Sequence, residues 1–114
     1  MNRYDLSAME RNRERLVETA RAVLRGELGV IAGARAINRL RHETVADAFD
    51  PDFLRFVAID SDTDHLPVEA AERARWDPAA LAAKEAEIAA AEAHWREAAR
   101  EGCQRLLARF APPT

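Results

Sequence analysis

The chain has one cysteine, one lysine, four glycines and no long apolar run. Cys103 by itself can form neither an internal disulfide nor a cysteine-based zinc cluster, so it reads as a small apolar residue on a packed helix face. No stretch approaches the roughly 20 apolar residues that span a bilayer, and no membrane helix is expected. The opening residues, MNRYDLSAMERNRERL, are charged from the third position on and hold no apolar signal core. A cytoplasmic location is therefore expected. The net charge of -3 lacks the basic excess that nucleic acid and anionic membranes reward, so neither is expected as a partner. The scattered glycines make no phosphate loop or dinucleotide turn, and no serine elbow is present. The reading leans away from an enzyme, and no cofactor is expected. Lys84 is the one lysine among 17 basic residues. The arginine and alanine bias reads as the coding composition of a GC-rich bacterial genome rather than as function.

What is present is helical periodicity. At 114 residues with 48% hydrophobic and 32% charged content, the chain fits one globular domain, residues 1–114, with 111–114 a frayed tail. Ser7-Ala8-Met9-Glu10 has the spacing of a capping box, with Asp5 as a competing cap and Tyr4 and Met9 at staple spacing. Met9, Leu16, Val17, Ala20, Val23 and Leu24 then trace one helix face, and Gly26 suits the left-handed residue that closes a helix. Val30, Ile31, Ala34, Ile37 and Leu40 trace a second face after a link short enough to make an antiparallel pair. Gly29 and Gly33 suit a close approach of the two backbones.

Two further helix starts share one design, Phe49-Asp50-Pro51-Asp52-Phe53-Leu54 and Trp76-Asp77-Pro78-Ala79-Ala80-Leu81. Each puts aspartate at the cap, proline at the first helical position, and an aromatic and a leucine at staple spacing. Trp76 reads first as such a clamp. The second start opens a helix from Pro78 to about Phe110, in which Leu81, Ile88 and Trp95 recur every seven residues. Some 32 residues make a rod ~48 Å long, against a span of ~26 Å for a domain of this size. The excess must kink at Gly102, project, or pack on a second copy, and the last of these would make a homodimer through this helix. The fold class is all-α: an antiparallel helix pair, a short helix and a long C-terminal helix in a small bundle.

The stretch Phe56-Val57-Ala58-Ile59-Asp60-Ser61-Asp62-Thr63-Asp64-His65-Leu66-Pro67 carries the one concentrated chemical signal. Read as the end of a short helix entering a loop, it offers Asp60, Asp62, Asp64 and His65 as a binding loop, with Trp76 beside it. A calcium loop needs glycine at its sixth position and glutamate at its twelfth, where this chain has His65 and Ala71. No metal is expected, and any that bound would use Asp60, Asp62 and Asp64. The favoured account is a bend whose short polar residues bond their own backbone and whose carboxylates pair with Arg35, Arg39, Arg41 and Arg55.

Together with Leu24-Arg25-Gly26-Glu27-Leu28-Gly29-Val30-Ile31, Leu40-Arg41-His42-Glu43, the Trp76 turn and the alanine-rich helix, this stretch is similar to small all-helical bacterial proteins of unassigned function. The similarity runs from Arg21 to Phe110 and is most specific over F-V-x-I-D-S-[DE]-T-D-x-L-P. It implies a bacterial cytoplasmic origin and an independent small domain, and imports no activity.

Three functions compete on these residues. The first is a helical protein-interaction or structural module with an unknown protein partner. The alternative is a metal- or small-ligand-binding domain centred on Asp60–Asp64. The third, nucleic-acid recognition through Arg35 and Arg39 on the helix pair, is opposed by the glutamates around them.

Overall fold

The computed structural model describes residues 3–45 and 47–113, with side chains from Ser7 onward. Among these residues every regular element is helical: α1 Arg3–Leu24, α2 Val30–Thr44, α3 Pro51–Thr63, α4 Ala70–Arg73 and α5 Pro78–Phe110. The all-α bundle with a long last helix is thus present. Helix α1 starts ahead of the proposed capping box, so Ser7 lies inside it, exposed, rather than at its cap. The Asp5 cap and the Tyr4 staple lie outside the described side chains.

The α1–α2 link closes as its sequence implies. Gly26 adopts φ +75, the Gly26 amide bonds Val23 O and the Glu27 amide returns to Ala22 O, which together cap the last carbonyls of α1. Gly33 then lets α2 lie against α1, since a Cβ there would fall 2.4 Å from a Val23 methyl. Helix α2 is central, packing on α1, α3 and α5, while α5 also packs on α1 and α3. The core contains Leu16, Ala20 and Val23 of α1, Val30, Ala34 and Ile37 of α2, Phe53, Phe56 and Ile59 of α3, and Ala99, Cys103 and Leu106 of α5.

Both aspartate–proline starts form. Asp50 accepts from the Asp52 amide at 3.0 Å, and Asp77 from those of Ala79 and Ala80 at 3.1 and 3.2 Å. The first staple does not close: Phe49 is 77% exposed and Leu54 41%. A different clamp replaces it. Arg109, in the last turn of α5, holds Asp50 through both terminal nitrogens at 2.8 and 2.9 Å, reaches Asp52 at 3.0 Å, and lies over the Phe110 ring. Its guanidinium holds the Asp50 carboxyl below the usual carboxylate range.

Helix α5 is continuous over 33 residues and does not break at Gly102. That glycine instead makes room for α3, since a Cβ there would come within 2.7 Å of the Phe56 ring. At ~50 Å for 33 residues, α5 alone accounts for the 50 Å long axis of the molecule. All four of its buried residues, Ala99, Gly102, Cys103 and Leu106, lie in its second half. The first half continues past the core.

Candidate functional site

The aspartates expected in a loop are mostly in a helix. Helix α3 runs through Thr63, so Asp60 and Asp62 occupy its last turn and Asp64 follows directly. The reason is the buried series Phe53, Phe56, Ile59 and Thr63, whose three-and-four spacing carries the helix to its end. Thr63 is buried without cost to its hydroxyl, which donates to Ile59 O at 2.6 Å. Turn-forming residue types were overridden here by burial.

A helix separates residues two apart by about 200°, so the alternation that resembled a ligand series sends neighbouring carboxylates to opposite sides. Asp60 faces α2, where Asn38 Nδ2 donates to it at 2.8 Å and Arg35 Nε lies 4.0 Å away. Asp62 faces α5 and accepts from the Trp95 indole N–H at 2.9 Å. Asp64 is exposed. His65 Nε2 stands 3.1 Å from Glu87, and His65, with Lys84, holds the Glu87 carboxyl below its ordinary range. Among the described residues, no three His, Cys, Asp or Glu side chains are grouped so as to hold a metal ion.

Arg35 organises this end of the molecule. Its side chain is buried, and Nη2 donates to Thr63 O and Leu66 O at 2.8 Å each, closing the C-terminus of α3 and the turn after it. Nη1 donates to Glu72 at 3.2 Å. Positive charge is what a helix C-terminus favours, and the aspartates there add to the demand. Glu72 accepts in addition from the Val68 amide at 2.9 Å. That amide first, and the Arg35 guanidinium second, outweigh burial and keep the Glu72 carboxyl below the usual range.

The other arginines expected around the aspartates have different partners. Arg39 pairs with Glu69 at 2.5 Å, Arg41 donates to Ala48 O at 3.0 Å, and Arg55 donates to Ala98 O at 2.9 Å with Glu101 3.6 Å away. The network around α2 therefore exists, but its acids are mainly Glu69 and Glu72. Trp76 is half-buried beyond α4, and the tryptophan that reaches the acidic segment is Trp95. The signal for Trp95 was available, because an indole on a packed face needs an acceptor for its N–H.

Glu92 is a second contact that residue spacing did not reveal. Helix α2 begins after Gly29, which offers no side-chain cap. The Glu92 carboxylate supplies one from α5, accepting from the Val30 and Ile31 amides at 2.9 and 2.7 Å. A groove of about 640 Å³ runs between α1 and the end of α5, bordered by Val17, Phe110, Pro112 and Pro113 with Arg13 and Arg109. None of the expected site residues lines it. Cys103 is buried, and desolvation pushes its thiol up to about 11, which suits packing rather than chemistry. No helix among the described residues is long and apolar enough to cross a membrane.

No family model, no curated protein and no solved structure matches the chain.

Proposed function

We propose that this chain is a helical protein-interaction module of the bacterial cytoplasm, and that its contact surface is the outward face of α5. The observation that carries this reading is that face. Ala79, Ala82, Ala83, Ala86, Ala89, Ala90 and Ala93 are all exposed along the half of α5 that runs past the core. Alanine loses no rotamer freedom on burial, so a partner helix could lie close to such a face at little entropic cost. A second copy of this chain is one such partner. The acidic segment supports an internal role instead, because Asp60 and Asp62 are engaged by Asn38, Arg35 and Trp95.

The test compares the natural chain with an Ala86→Arg, Ala90→Arg double variant. Both positions are exposed, so circular dichroism should show an unchanged helical fold. The natural chain should sediment as a dimer, or co-purify with a stoichiometric protein at near-native expression, and the variant should do neither. A natural chain that is monomeric and returns no stoichiometric partner would overturn the reading.

A further inference from the structure

The first half of α5 is attached to the molecule differently from the second. Residues 78–93 include no buried side chain, with Leu81 and Ile88 half-buried, whereas Ala99, Cys103 and Leu106 belong to the core and Trp95 packs against it. Beyond those two side chains, the attachments of the first half are polar. Arg73 pairs with Glu85, His65 with Glu87, and Glu92 accepts two amides of the α2 N-terminus. Glu85 and Glu87 are about half exposed, and pairs in such settings contribute little. The Glu92 contact is of another kind. It satisfies two free amides of a helix that has no side-chain cap of its own, and both bonds are charge-assisted.

We infer that the first half of α5 forms a strap that opens as one unit, hinged between Glu92 and Trp95 and latched by Glu92 on the first turn of α2, while α4 stays fastened to the bundle by Glu72 on Arg35. Regions open locally where buried apolar contacts are few, and the contacts change character at this point along α5. Once released, a 16-residue helical segment is near the length at which isolated helices are marginal, so the freed strap unwinds. Release uncaps α2 and uncovers the inner sides of Leu81 and Ile88. Unwinding the strap also dissolves the outward alanine face, so a partner held there would keep it closed, and exchange is read at concentrations where the purified chain sediments as a monomer.

Hydrogen exchange on the full-length chain tests it. In the natural chain, amides of residues 82–91 should exchange together, on the order of a hundredfold faster than those of residues 98–107. Glu92→Gln keeps the shape and removes the charge. It should accelerate the strap amides and those of Val30 and Ile31 by on the order of tenfold, leaving residues 98–107 unchanged. Glu97→Gln, on the exposed side of α5, should change neither set. Uniform protection along α5 in the natural chain would overturn the inference. So would a Glu92→Gln effect that is absent, or that spreads equally over the whole helix.

Discussion

Replacing Arg35 with methionine removes the charge at the centre of the polar end of the molecule while keeping a flexible side chain of comparable length. The magnitude follows from what Arg35 touches. Two backbone carbonyls, Thr63 O and Leu66 O, lose donors at 2.8 Å, and Glu72 loses one at 3.2 Å. Hydrogen bonds from a charged group are worth about 1.5–3 kcal/mol each, and a buried acceptor left without a donor keeps its desolvation cost. Glu72 offsets part of the loss, because its side chain is 39% exposed and can take up water. Methionine in turn adds some apolar packing. The net expectation is a destabilisation of about 3–4 kcal/mol, near that for breaking a buried ion pair by removing one partner. Urea unfolding followed by circular dichroism measures it, through the midpoint at unchanged slope. Because Arg39 is 65% exposed and pairs with Glu69 on the surface, Arg39→Met is the matched control and should cost less than about 1 kcal/mol. A loss below about 1 kcal/mol for Arg35→Met would show that the buried guanidinium is not what closes α3.

The Asp50–Arg109 clamp makes stability depend on pH in a defined direction. The Asp50 pKa is depressed in the folded state, so its contribution is present above the unfolded value near 3.8 and fades as pH falls through the lower folded value. Asp50→Asn keeps a capping oxygen but should remove that acid-range slope, which denaturation at a series of pH values would detect. An unchanged slope would refute the assignment. Gly102→Ala should destabilise by about 2 kcal/mol despite the better helix propensity of alanine, because the new methyl meets the Phe56 ring. A thermal melt that moved upward would show that the Phe56 ring can give way.

The parts of the fold that were legible in the sequence are those set by local chemistry or by long periodicity. Gly26 is readable as a helix end because a left-handed residue is needed there, and Asp50 and Asp77 as helix starts because a cap and a following proline are local requirements. The 33-residue last helix follows from its proline start and seven-residue apolar spacing, and its length left a kink at Gly102, projection or a second copy as alternatives, of which the kink is absent. What was misread depends on contacts distant in sequence. Asp60-Ser61-Asp62-Thr63-Asp64 has the composition of a turn, and only the burial of Ile59 and Thr63 against the bundle keeps the first four in α3. Arg35 appeared among four candidate arginines of equal standing, yet it is the one on the inward side of α2, in line with Ile31 and close to Ala34, whereas Arg39 stands on the rim. Glu92 is silent in the sequence because its partners are the amides of Val30 and Ile31, about sixty positions earlier, and a backbone donor leaves no mark in residue type. Arg35 and Glu92 share one physical origin. Helix ends expose backbone groups that some side chain must satisfy, and where the local sequence offers no cap, as at Gly29 and after Thr63, the bundle draws a charged residue from another helix. An uncapped helix end beside a packed neighbour is therefore the feature to look for, and the charged residue that meets it is the one whose loss the fold should feel most.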